Sequence, residues 1–320
     1  MTFMRSGNRW VEQIKTVTLL LGIAFMLPVS AQLTQPASWQ SSLLTDHELV
    51  GRVWRTSTES FISLQELQSD IESARYLFLG EKHDNPDHHF LQLALLEYLG
   101  ETQQLGSVTF EMLDSNADRA LAELYTDGPA THADLQEYLS WDDEGWPWQF
   151  YGPLVEHTFR AGLPILAGNI SRDSISMIYA DGEAEAPQVL SEPAIEQLHV
   201  DIDESHCGML PESQFPAMVR VQQARDQAMA NKLLAPNDGE LSVLIAGNYH
   251  VRQDLGVPNY LLAMESGLAR DAILALTFME VQPDSTDPAD YLDSTGDQPA
   301  YDYLWFTPAV QASDYCESFQ

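Results

Sequence analysis

The chain has 320 residues with 48 acidic and 15 basic side chains, a formal net charge of −33. A nucleic-acid partner is excluded on that ground, because a polyanion is repelled and the Lys/Arg clusters that neutralise phosphates are absent. The acidity is spread along the chain and reads as a solvated surface that says little about a ligand, while the length suits one large α/β domain with insertions better than two small ones.

At the N-terminus, Arg5, Arg9 and Lys15 precede the apolar stretch Thr16 to Pro28, and Val29-Ser30-Ala31 supplies the small residues that a signal peptidase reads. The apolar stretch falls short of the roughly 20 residues expected of a membrane span. The expectation is therefore a signal peptide over 1–31 and a mature domain over 32–320, soluble in the periplasm or secreted, with no stable membrane span after cleavage. In an oxidising compartment Cys207 and Cys316 could close one bridge, though two free thiols are equally compatible with the sequence.

Further along, short apolar runs are each followed by a polar loop and an amphipathic segment, the pattern of a mostly parallel central sheet flanked by helices. Tyr76 to Leu79 leads into Gly80-Glu81-Lys82-His83, and Ser107 to Phe110 leads into Glu111. Leu163 to Ala167 leads into Gly168-Asn169, and Leu241 to Ala246 into Gly247-Asn248-Tyr249-His250. Ala272 to Glu280 reads as another buried strand, and "YDYLWFTP" as a last strand at an edge.

Between these runs, Asp84 or Asn85 caps a helix that Pro86 starts. Phe90, Leu93, Ala94, Leu96 and Leu99 follow helical spacing, which leaves His88 and His89 as surface or capping residues of its first turn. Residues 115–160 look helical without a strand and form a small helical insertion around "WDDEGWPWQFY". An irregular insertion is expected over about 181–211. Phe215 to Leu234 reads as a helix with Phe215, Met218, Val219, Met229 and Leu233 on its buried stripe, and with Gln223 and Asp226 close on its surface.

In open α/β sheets, ligands bind beyond the carboxyl ends of the strands, so the four polar run-ends converge on one crevice. The pocket expected there consists of Glu81, His83, Glu111, Asn169, Asp226 and His250. Glu81 and His83, two apart in extended chain, point to the same side. With His250 they could hold a divalent metal, relay protons or bind a polar ligand, and the same trio would be the catalytic set of a hydrolase. No H-E-x-x-H, G-x-S-x-G or Gly-rich dinucleotide fingerprint is present, and no C-x-x-C-H for covalent haem.

"LFLGEKHDNPDHHFLQLALLEYL" and "IAGNYHVRQDLGVPNYL" resemble the two signature segments of the ChaN-type haem-binding uptake proteins, relatives of the erythromycin esterases and the Tiki metalloproteases. The resemblance extends more weakly through "FEML", "WPWQFYGPLVEHTFRAGLPILAGN", "QARDQAMA" and "YDYLWFTP". It implies a parallel α/β domain with a small helical subdomain, an extracytoplasmic location, and haem bound between two protomers through a tyrosine. Glu81, His83 and His250 match the shared Glu-x-His and Gly-x-x-His pattern. The lipid-modified cysteine of lipoprotein relatives has no counterpart at the cleavage point, so anchoring does not carry over. Tyr151, beside Trp146 and Trp148, is the candidate haem ligand, and a homodimer is the implied assembly. A metal-dependent or Glu/His-dependent hydrolase at the same pocket remains the alternative.

Overall fold

The computed structural model describes residues 1–2, 32–129, 131–180, 189–235, 240–292, 298–311 and 316. The segment expected to be a signal peptide lies outside the described residues apart from its first two. The chain divides into two units, Met1–Ser30 and Ala31–Gln320, and every element named below belongs to the second.

In chain order the strands are β1 (Val53–Arg55), β2 (Ser60–Ile62), β3 (Tyr76–Glu81), β4 (Leu105–Asp114), β5 (Ile165–Asn169), β6 (Leu241–Gly247), β7 (Ile273–Glu280) and β8 (Tyr303–Thr307). The α-helices are α1 (Leu64–Ile71), α2 (Pro86–Glu101), α3 (Asp118–Glu123), α4 (Leu135–Tyr138), α5 (Trp148–Arg160), α6 (Arg172–Ala180), α7 (Glu192–Ser205), α8 (Phe215–Leu233) and α9 (Val257–Met264). The sheet order is β2-β1-β8-β7-β3-β6-β4-β5. Strands β3 to β8 are mutually parallel, and β1 runs antiparallel to both β2 and β8.

Alternation along the central strands explains the helical layers on both faces. Leu77 and Leu79 of β3, with Val243 and Ile245 of β6, enter the core that α1, α2 and α5 cover. Tyr76 and Phe78, with Leu244 and Ala246, enter the second core, under α8 and α9. Each fully buried side chain of this size contributes about 1.5–3 kcal/mol relative to exposure. Helix α2 begins where expected: Asn85 accepts from the Asp87 amide at 2.9 Å, with Pro86 at the first helical position.

The structure corrects four local expectations. Strand β8 is not at an edge, because the β1–β2 hairpin pairs along its outer side. Phe90 is 44% exposed, and α2 buries Leu91 and Leu95 alongside the expected Leu96 and Leu99. His88 and His89 are buried rather than on the surface, since they face the β3 junction across the first turn of α2. The reading of 181–211 as irregular does not hold over α7, where Pro193 opens the helix and Ala194, Leu198 and Ile202, spaced by four, bury one stripe in a small core with Val219 and Leu255. Residues 181–188 lie outside the described set. Among the described residues of 115–160 the chain forms α3, α4 and α5 and no strand.

Cys207 and Cys316 form a disulfide with a Cα separation of 5.3 Å. The bridge fastens the loop after α7 to the chain beyond β8. Among the described residues, no helix is long and apolar enough to cross a membrane.

Candidate functional site

Glu81 is the last residue of β3 and Glu111 lies on β4. β6 separates the two strands, and its last residue, Gly247, is in register with Glu81. The sheet order thus sets two carboxylates at the carboxyl ends of strands two positions apart, with a glycine between them. A Cβ on Gly247 would lie 2.9 Å from both Cε1 and Nε2 of His83 and 3.6 Å from Oε2 of Glu111. The absence of a side chain there lets the His83 ring lie over the end of β6.

The first half of the site is built on Glu81. Its Oε1 accepts from Nδ1 of His83 at 2.9 Å and from the hydroxyl of Tyr151 at 2.6 Å. Its Oε2 lies 3.2 Å from Nδ1 of His89, whose Nε2 donates to the His83 carbonyl at 3.0 Å. His89 stacks on Phe150 with ring centroids 4.8 Å apart, and Trp146 meets His83 edge-on at 4.8 Å. Burial pushes the Glu81 carboxyl up, but His89 and His83 outweigh it and hold the group well below the usual carboxylate range. Burial likewise pulls both histidines down, and the facing carboxylates raise them on balance. His88 behaves oppositely: Nδ1 accepts from the Lys82 amide and Nε2 pairs with Thr307, and burial holds its pKa well down.

The second half is built on His250, just beyond β6. Nδ1 lies 2.5 Å from Oδ1 of Asp226 and 3.2 Å from the Gln222 amide, and Nε2 lies 3.3 Å from Oε1 of Glu111. Glu111 also accepts from the Gly247 amide at 2.8 Å. Burial alone would lower the His250 pKa, but Glu111 and Asp226 overcome that and raise it to about 10. Against burial, His250 draws Glu111 down to about 2. Asp226 is raised to about 6 because burial exceeds what His250 returns. Each buried carboxylate therefore faces a histidine: Glu81 faces His83 and His89, and Glu111 and Asp226 face His250.

A cavity of about 990 Å³ lies over these groups, within the range of about 300–1,000 Å³ usual for small-molecule sites. Glu81, His83, Glu111, Gly247 and His250 form its floor. Leu198 and Ile202 of α7, Gln222 and Arg225 of α8, and Leu43, Leu44, Val281 and Trp146 line its walls, with Lys82 and Tyr249 also on its surface. The structure therefore brings together four of the expected pocket residues, Glu81, His83, Glu111 and His250. Asp226 lies behind His250, outside the lining. Asn169 is behind the floor too, donating to the Glu111 carbonyl at 3.1 Å.

His83 pairs through Nδ1 with Glu81, and His250 pairs with Glu111 and Asp226. Among the described residues, no three His, Cys, Asp or Glu side chains are grouped to hold a metal ion. Tyr151 is fully buried. Burial and the neighbouring Glu81 push its phenol far up, against the phenolate that ferric iron favours. In the structure Tyr151, the haem-ligand candidate of the sequence, is a hydrogen-bond partner of Glu81. Sequence reasoning missed His89, Gln222 and Arg225. The only signal for the latter two was the helical spacing that puts Gln222, Arg225 and Asp226 on adjoining positions of α8.

Residues 67–261 match the family model described as haem-binding uptake, Tiki superfamily, ChaN. The chain belongs to this family. A solved structure of ChaN from Campylobacter jejuni, described as binding haem cofacially, is 25% identical; the match covers 79% of this chain and 95% of that one, with a TM-score of 0.64. An erythromycin esterase mutant in its open conformation is 14% identical over 83% of this chain and 99% of its own, with a TM-score of 0.46. No curated protein matches the chain.

Proposed function

We propose that this ChaN-family protein binds haem in the strand-end cavity and serves haem or iron uptake outside the cytoplasm. The observation that carries the reading is the cavity itself, which combines apolar walls, a floor of carboxylates paired with histidines, and an exposed phenol. Tyr249 is 47% exposed and is the tyrosine among the described residues that line the cavity. Tyrosine is an accepted axial ligand of haem iron, so Tyr249 takes the role first expected of Tyr151. Bound haem would supply the iron, and the chain's part is to hold it. Trp146 offers an aromatic surface, the α7 leucine and isoleucine exclude water, and Lys82 and Arg225 offer positive charge.

Titration of the purified mature protein with haemin tests this directly. A saturable Soret shift that Tyr249→Phe abolishes is the expected result, and no shift with the wild type rejects the reading. A homodimer with haem at its interface is proposed with it, and sedimentation of the haem-loaded protein at twice the monomer mass is the expected outcome. Export with cleavage after Ala31 is read from the basic, apolar and small-residue order of the N-terminus. Intact mass of the protein recovered from the periplasm checks it, and retention of Met1 to Ala31 would count against it.

A hydrolase at the same site is the second reading, favoured by one observation. His83 presents a side chain 44% exposed beside the cavity while Glu81 engages its Nδ1. Such a pair can transfer protons to and from a bound water. Ester hydrolysis by the wild type and its loss in His83→Ala would support this reading.

A further inference from the structure

Arg225 stands out among the cavity's cations. Its Nε is buried and makes no hydrogen bond among the described residues, in a chain with three acidic residues for each basic one. A buried guanidinium donor without an acceptor is costly, and such groups in native proteins call for an explanation. Lys82, the lysine of the lining, is already engaged, with Nζ 2.9 Å from Glu280 and 3.6 Å from Asp84. On the same helix, Gln222 and Asp226 are committed to His250. Arg225 thus shares a wall with the polar floor, faces the cavity, and keeps unused donor capacity.

We propose that Arg225 is the anchoring residue for a carboxylate of the ligand. The guanidinium is a planar fork matched to a carboxylate, and it stays charged at every physiological pH. The opposite requirement, an apolar body, is met by Leu198 and Ile202 across the same cavity. Together they select an amphiphile: a broad hydrocarbon framework carrying at least one carboxylate at its edge. On the floor, Glu81, Glu111 and Asp226 are each paired with a histidine, which turns their oxygens toward the imidazoles and lessens the repulsion an anionic ligand would otherwise meet. The inference rests on the haem reading, in which the carboxylate is a porphyrin propionate, and makes Arg225 the residue that sets how the porphyrin enters.

Haemin and its dimethyl ester, which keeps the macrocycle and iron but removes both negative charges, test this on the whole mature protein. Binding is followed by the Soret band and by tryptophan quenching, for the wild type, Arg225→Gln and Arg225→Lys. The wild type should bind haemin about tenfold or more tighter than the ester, and Arg225→Gln should lose that preference by weakening haemin alone, as expected for a charged hydrogen bond. Arg225→Lys should recover part of it. Wild-type haemin binding that Arg225→Gln leaves unchanged would overturn the anchor while leaving the haem reading intact. An equal loss for both ligands would also overturn it, by showing that Arg225 shapes the wall. Failure of the wild type to bind haemin would remove the haem reading and the anchor together.

Discussion

The hydroxyl of Tyr151 donates to Oε1 of Glu81 at 2.6 Å, from a helix 70 residues further along the chain. The same oxygen receives Nδ1 of His83. α5 is therefore tied to the end of β3 through one carboxylate, and the tyrosine fixes the acid that fixes the cavity-facing histidine.

Replacing Tyr151 with Phe removes that donor and keeps the ring. A hydrogen bond to a charged group is worth about 1.5–3 kcal/mol, and a loss of stability of this size is expected in chemical denaturation. Haemin binding should survive. A folded Tyr151→Phe protein with no Soret shift would restore Tyr151 as the iron ligand.

Gly247→Ala tests the close approach of His83 to β6. The new methyl would meet the imidazole at 2.9 Å, so the ring must move. A stability loss of about 1–3 kcal/mol is expected from the overpacking, with a shifted His83 signal in NMR. An unmoved His83 resonance would show that the ring does not lie where the structure places it.

His250 should make stability fall in alkaline solution. Its folded pKa is raised to about 10, above the ordinary value of about 6.5 for an unfolded chain. The folded state therefore binds the proton more tightly. The stabilisation is complete below the unfolded pKa, and it is lost as pH rises through about 10. Denaturation midpoints measured from pH 7 to 10.5 should drop more steeply for the wild type than for His250→Gln. Parallel profiles would argue against a charged His250.

The Cys207–Cys316 bridge closes a loop with a sequence separation of 109 residues. Serine replacement of both cysteines should cost about 2–4 kcal/mol. Thiol counting on unfolded, unreduced wild-type protein should find no reactive thiol. Two thiols per chain would contradict the bridge.

How much of this could be read beforehand depended on how far each element declares itself locally. The strands that carry or lead into Glu81, Glu111, Asn169 and His250 were legible because buried parallel strands are continuous apolar runs broken by polar residues. The pocket followed from them. Strands β1 and β2 were not legible, since three residues such as Val53-Trp54-Arg55 carry no periodicity. Helix α2 misled because it is apolar on several sides, so spacing alone could not tell that Leu91 is buried and Phe90 exposed. The role of Tyr151 was hidden for another reason. An aromatic run signals burial and ligand stacking equally, and only the tertiary contact with Glu81 separates them. Asp226 was noticed for its neighbour Gln223, whereas Gln222 is the residue that meets His250.

The place of β6 between β3 and β4 has a consequence for biosynthesis. Glu81 and Glu111 leave the ribosome early, but the strand that joins their strands begins only at Leu241. Until then β3 and β4 lack the strand that joins them in the finished sheet, and each has an edge with no partner from that strand. The cavity floor is therefore complete only once β6 has paired with both strands and brought Gly247 and His250 beside them. A nascent chain cannot acquire its ligand at that floor before most of its length has emerged, and a chain cut short before Leu241 would expose two sticky strand edges in place of a partial site.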